Sequence, residues 1–257
     1  MADWVIKTNS KKDVKLRLFC FPYAGSSALV TYKFLADNLN PDIEVCYVEF
    51  PGRGSRIAEP LINEMDSVVK QIAESITKHL DIPFIFLGHS MGALVSYELT
   101  HYLNAQLISQ PKKLYLSAHK VPSASRDCKL MHKLSKEEFL SEIINMNGVS
   151  KEILEHEELL ELVLPIIKND YKLCETYCFS DKGKLDIPIS VFGGKKDLEV
   201  TEDHLKGWEN FTNSAFKLEL FDGDHFFITK NREQFFERFS AYLNEDLKKL
   251  KFNNDKF

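Results

Sequence analysis

Phe84-Ile85-Phe86-Leu87-Gly88-His89-Ser90-Met91-Gly92-Ala93 joins an apolar run of β-strand character to a helix-compatible segment (Ala93, Leu94, Tyr97, Leu99) through Gly88-x-Ser90-x-Gly92. Strand, glycine-flanked serine and helix in that order form a nucleophile elbow. A glycine on each side lets the chain turn sharply, because neither neighbour brings a Cβ into the bend. The turn lifts the Ser90 hydroxyl out of the sheet and leaves the backbone N–H of Met91 directed toward whatever the serine attacks.

Around this stretch, short apolar runs alternate with longer amphipathic ones, the pattern of β-α-β units and a mainly parallel sheet. Strands are expected at 16–21, 43–48, 84–87, 113–117, 188–192 and 216–220, and helices at 29–39, 65–80, 93–103, 202–211 and 232–247, with a charged, frayed tail beyond. From about residue 122 to 181 no strand pattern occurs, while 136–144 and 155–167 read as helices. A helical insertion of that length at the open end of a sheet predicts a lid inside a single 257-residue α/β domain.

The formal net charge of −5 is spread without a basic block, so no nucleic-acid partner is expected. Residues 1–15 are polar and lack the apolar segment of a signal peptide, and no run is long enough to cross a bilayer, which predicts a cytoplasmic protein. Five scattered cysteines (Cys20, Cys46, Cys128, Cys174, Cys178) suit reduced thiols. Cys174 and Cys178 stand one helical turn apart, but no His or Cys pair completes a metal ligand set, so no metal is expected.

A serine hydroxyl needs a base to take its proton during attack, and after such an elbow the partners follow in the order acid, then histidine. Asp222-Gly223-Asp224-His225-Phe226-Phe227 follows the last strand, and its aromatic pair is placed to pin the loop. His225 is therefore the expected base. His79, His101, His132, His156 and His204 read as surface residues, His119 precedes the acid, and His89 should point away from the nucleophile. The acid that orients the base is expected at Asp197, beyond the carboxyl end of the 188–192 strand; Glu199 is a nearby rival, Asp186 lies at the wrong end, and Asp224 sits too close to His225. Oxyanion donors are expected from the backbone N–H of Met91 and from the loop Phe21-Pro22-Tyr23-Ala24-Gly25, at Ala24 or at Tyr23 one residue earlier.

Five segments occur in sequence: Phe21-Pro-Tyr-Ala-Gly25, Phe50-Pro-Gly-Arg-Gly-Ser-Arg56, Gly88-His-Ser-Met-Gly92, Gly193-Gly-Lys-Lys-Asp197 and Gly223-Asp-His-Phe-Phe227. Together, and with Pro165-Ile-Ile-Lys-Asn-Asp-Tyr171, they closely resemble the type II thioesterases that accompany nonribosomal peptide and polyketide synthetases, from about residue 18 to 243. The resemblance implies an α/β-hydrolase fold and hydrolysis of acyl or aminoacyl thioesters on the phosphopantetheine arm of carrier proteins, clearing stalled or misprimed carriers. It implies Ser90 as nucleophile, His225 as base and Asp197 as orienter, with no cofactor. Two departures touch the loops and no reacting group: the family often has Gly-Gly-His at Gly223-Asp224-His225, and Ala-Gly-Gly at Ala24-Gly25-Ser26. Arg53 and Arg56 are candidates either for the phosphate or acidic surface of a carrier, or for bracing their own loop. A general carboxylester hydrolase or lipase, and an inactive protein that docks a synthetase, are the competing readings.

Overall fold

The structure, a computed structural model, describes residues 3–7, 13–124, 129–149 and 151–254. Strands β1 (Val5–Lys7), β2 (Leu16–Phe21), β3 (Ile43–Val48), β4 (Phe84–His89), β5 (Leu114–Ser117), β6 (Ile189–Gly194) and β7 (Phe216–Phe221) form one sheet in the order β1-β3-β2-β4-β5-β6-β7. All neighbours pair in parallel except β1, which runs antiparallel to β3 with Val5 opposite Val48.

A parallel sheet must be covered on both faces, and the alternation along its strands shows how. Phe19, Phe21, Phe84 and Phe86 face a core shared with α2 (Met65–Ile76) and α3 (Met91–Ala105). Leu16, Leu18, Cys20, Ile85 and Leu87 face the opposite core, shared with α1 (Ala28–Asn38) and α9 (Arg232–Asn254). The side chain of Ser27 caps α1 by accepting from the N–H of Val30.

Between β5 and β6 the described residues form α4 (Lys136–Asn145), α5 (Lys151–Leu154) and α6 (Glu157–Thr176) and no named strand. Residues 125–128, including Cys128, lie outside the described residues. Met131, Phe139, Ile143, Leu164 and Ile167 give this segment a small core of its own. The Ser135–Glu138 capping box starts α4. α6 runs through Pro165, which removes one backbone donor from the helix. Burial of Leu164, Ile166, Ile167 and Leu173 holds the helix together across that gap, and carries it nine residues past the end expected from its pattern.

The short elements α7 (Glu202–Lys206) and α8 (Phe227–Lys230) complete the chain. Expected helix ends moved where 3₁₀ turns take over: α2 gives way at Thr77–His79, and α7 at Gly207–Phe211. The final helix continues to Asn254 rather than ending near 247. Among the described residues no helix is long and apolar enough to cross a membrane.

β1 had no counterpart in the sequence reading because three residues are too few to show a period. It is held by Trp4, only 2% exposed, whose ring packs edge-on against Phe50 at 5.4 Å and lies 4.4 Å from the Arg56 guanidinium carbon. Truncating a large buried aromatic costs about 3–5 kcal/mol. Trp4→Ala is therefore expected to lower unfolding free energy by about that amount in urea titrations; a loss under about 1 kcal/mol would place β1 outside the cooperative unit.

Candidate active site

The elbow forms where β4 ends. Ser90 takes φ +52° and ψ −117°, and Met91 opens α3. Such a conformation costs a non-glycine residue about 1–3 kcal/mol and persists only where its surroundings enforce it. They do so through backbone contact. A Cβ on Gly88 would sit 2.2 Å from the carbonyl oxygen of Gly92, and one on Gly92 would sit 2.2 Å from that of Phe21. The two glycines are thus fixed by close approach of α3 to the ends of β4 and β2. The N–H of Ser90 donates to the carbonyl of Ser117 at 2.8 Å, locking the turn to β5.

Three side chains distant in sequence meet above this edge. His225 Nε2 lies 3.0 Å from Ser90 Oγ, and its Nδ1 lies 2.8 Å from Asp197 Oδ2. With Asp197 ionised, Nδ1–H donates to the carboxylate and Nε2 is left to accept from the serine hydroxyl. The other carboxylate oxygen of Asp197 accepts from the N–H groups of Glu199 at 2.9 Å and Val200 at 3.0 Å. Glu199, the rival acid, therefore contributes its backbone to Asp197. Asp224 is engaged elsewhere: it accepts from the N–H of Phe226 and pairs with Lys230 at 2.6 Å.

The acid and base loops are joined. The N–H groups of Lys195 and Lys196 donate to the carbonyls of Phe221 and Gly223, each at 2.9 Å. A Cβ on Gly194 would meet the carbonyl of Asp224 at 2.3 Å. The aromatic pair after His225 does the expected pinning: Phe226 packs on Tyr23 at 5.2 Å, and Phe227 stacks on Phe221 at 5.1 Å.

Burial of the His225 ring opposes its charged form, but the hydrogen bond and charge of Asp197 outweigh it, so the pKa lies above the ordinary 6.5. His89 does not point clear of the site. Its ring lies 5.4 Å from that of His225, and its Nδ1 is 2.8 Å from Ser117 Oγ. Burial, and next the charge of His225, push the pKa of His89 well below 6.5, so a neutral ring backs the titrating one. Of the other histidines, His101 is buried rather than superficial, and His79 and His132 are half-buried. His132 pairs with Glu175.

Ser90, His225, Met91 and Ala24 line a cavity of about 400 Å³ whose far wall includes Met131, Ile143, Met146 and Ile167 from the β5–β6 segment. Met91 occupies the first position of α3, where a backbone N–H has no acceptor within the helix. Cys174 lies in the same wall; Cys178 is exposed beyond the end of α6.

Arg53 and Arg56 turn inward, and each is paired with a carboxylate. Arg53, 4% exposed, forms a two-pronged pair with Asp170 of α6, Nη1 to Oδ2 at 2.5 Å and Nη2 to Oδ1 at 2.8 Å. Arg56 grips Glu59 with Nε at 2.8 Å and Nη2 at 2.5 Å, and donates to the carbonyl of Glu49 at 2.8 Å. Asp170 was not singled out from sequence. Its signal was a lone carboxylate within the apolar spacing Ile166, Ile167, Asp170, Leu173 of a helix.

A model of the thioesterase domain matches residues 16–243. The chain belongs to the thioesterase family. The gramicidin S biosynthesis protein GrsT of Aneurinibacillus migulanus is 35% identical to it over 237 residues, covering 91% of each chain. The linear gramicidin dehydrogenase LgrE of Brevibacillus parabrevis is 34% identical over 234 residues, covering 90% of this chain and 89% of that one. Among solved structures, the type II thioesterase BorB from the borrelidin biosynthetic cluster matches with a TM-score of 0.84 and 31% identity, over 93% of this chain and 97% of that one. The sheet order, the flanking helices and these likenesses agree on an α/β-hydrolase fold, and this thioesterase is a hydrolase acting on thioester bonds.

Because the Cβ of a residue at 92 would strike backbone rather than a yielding side chain, overpacking there is expected to cost about 1–3 kcal/mol. Gly92→Ala should lower the urea midpoint accordingly and depress thioester hydrolysis. A variant of parental stability and rate would remove the close approach as the reason for the second glycine.

Proposed function

We propose that this chain is a carrier-protein thioesterase working through an acyl-enzyme on Ser90, and that the hydrogen-bonded series Ser90–His225–Asp197, whose first two members line the cavity, carries the reading. Ser90 Oγ attacks the thioester carbonyl as His225 Nε2 takes its proton. The carbonyl π electrons move to oxygen, where the N–H groups of Met91 and Ala24 receive the negative charge. The C–S bond then breaks, and His225 returns the proton to the departing pantetheine sulfur. Water attacks the acyl-enzyme with His225 again as base, releasing the carboxylic acid and regenerating the serine. Asp197 holds the imidazole and stabilises its cation throughout.

The substrates in this reading are acyl or aminoacyl groups on the phosphopantetheine arm of carrier domains in a cytoplasmic synthetase. Support comes from the family and from BorB, a type II thioesterase from a biosynthetic cluster. The α4–α6 segment acts as a lid whose apolar side chains cover the acyl group and exclude water. The name of LgrE raises a dehydrogenase reading, but the turn after β2 is Phe21-Pro22-Tyr23-Ala24-Gly25-Ser26, unlike the Gly-x-Gly-x-x-Gly of dinucleotide sites.

Mass spectrometry of acyl-loaded carrier proteins incubated with the chain is expected to show release of the carboxylic acid and return of the carrier to its free-thiol form. Ser90→Ala or His225→Ala should slow that release by on the order of 10⁴-fold or more. An intact Ser90→Ala rate would end the acyl-enzyme mechanism, and cleavage of simple esters without loaded carriers would favour a general esterase. The base must be neutral to act, so kcat/KM should rise with pH through a midpoint above 6.5. Asp197→Asn removes what holds the proton on and should move that midpoint down as the rate falls; an unmoved midpoint would detach Asp197 from His225.

A further inference from the structure

Asp170 lies on α6, at the heart of the β5–β6 segment, and is fully buried. Beyond its two contacts with Arg53, its Oδ2 accepts the backbone N–H of Gly25 at 2.7 Å. Gly25 immediately follows Ala24, the residue proposed to supply the second oxyanion donor. We infer that Asp170 is a positioning residue: its carboxylate, held by Arg53, anchors the Tyr23–Ser26 turn to α6 through the Gly25 N–H and so holds the Ala24 N–H in place at the oxyanion hole. This rests on the thioesterase reading above and goes beyond it.

The loop geometry explains why such a hold is needed. Ser26 N–H donates to the Tyr23 carbonyl at 3.1 Å, closing a four-residue turn with Gly25 at φ +79°. The Tyr23 carbonyl and the Ala24 N–H share one planar peptide and point in opposite directions. Pulling that carbonyl into the turn therefore turns the Ala24 N–H outward. A turn closed only by its end-to-end bond can still flip its central peptide, the one linking Ala24 to Gly25. The bond from Gly25 N–H to Asp170 opposes that flip and ties the turn as a whole to α6, which sets where the Ala24 N–H stands beside Ser90.

Two further contacts act on the same turn. Arg53 Nη1 reaches the carbonyl of Ser26 at 3.4 Å. Ile167, one turn before Asp170, fills the space a Gly25 side chain would take, its Cγ1 2.3 Å from that Cβ position. One face of α6 thus grips the loop by packing and by charge, while Ile167 and Tyr171 of the same helix line the cavity. The position of the proposed lid helix and the alignment of the oxyanion donor are mechanically linked.

An ion pair of purely structural value is separated from a positioning role by two double variants. Arg53→Met/Asp170→Leu and Arg53→Met/Asp170→Asn both remove the charges in nearly isosteric form, so neither leaves an unpaired buried ion. Only the Asn variant keeps an oxygen for the Gly25 N–H. Misalignment of a donor group costs about 10- to 100-fold. The Leu variant is expected to show kcat lower than the Asn variant by that factor, with KM similar. Its affinity for a trifluoromethyl ketone, which forms a tetrahedral adduct on Ser90, should weaken by the same factor. Equal kcat values, or a kcat loss without loss of ketone affinity, would overturn the inference. If neither double variant folds, the parent protein decides: by NMR the Gly25 amide should exchange slowly with solvent, and exchange at the rate of an open loop would overturn it. A parent that neither hydrolyses thioesters nor takes up the ketone would bring down the thioesterase reading and this inference together. A parent that does both, with Leu and Asn variants alike, would remove only this one.

Discussion

Everything at the site depends on backbone meeting backbone at the carboxyl edge of β4. The first turn of α3 lies against the ends of β4 and β2 so closely that no Cβ fits at position 88 or 92. That approach is what forces Ser90 into a left-handed conformation and aims its hydroxyl out of the sheet. It also brings Phe21, and thus the Tyr23–Ser26 turn beyond it, alongside the start of α3. Ser90 and both candidate donors are placed by one packing constraint, and the strain at Ser90 is sustained by the large buried sheet on which it rests.

A second layer of control is electrostatic. Asp197 has each carboxylate oxygen engaged, one by His225 and one by two backbone amides. It is thereby held as an acceptor in one orientation and fixes which imidazole nitrogen carries the proton. Behind the ring, burial keeps His89 uncharged, so no second cation competes with an imidazolium at His225.

Much of this was legible in the sequence because its signals are local. The elbow is a glycine pattern with a steric cause, and β2 and β3 matched their expected limits because strands buried on both faces show as short, mostly apolar runs. Ser90, His225 and Asp197 were found from chain order and strand ends, and the structure brings them within hydrogen-bond reach. What escaped was non-local. β1 depends on pairing with a strand some forty residues away, and no three-residue pattern announces that. The length of α6 past Pro165 comes from tertiary burial, which outweighs local propensity. His89 was placed only from its standing just before Ser90, and no local pattern shows that the His225 ring comes within 5.4 Å of its own. Arg53 finds its partner 117 residues on, which no local pattern announces.

The ties between the β6 and β7 loops also bear on motion. Two backbone hydrogen bonds and a glycine contact join the loops of Asp197 and His225 to each other, while Ser90 stands on the β4–α3 turn. A displacement of these joined loops relative to that turn would be taken up at the imidazole–hydroxyl gap rather than at the carboxylate–imidazole distance. That gap is where the proton crosses in the proposed reaction, so the architecture concentrates its remaining compliance at the one separation that has to shorten.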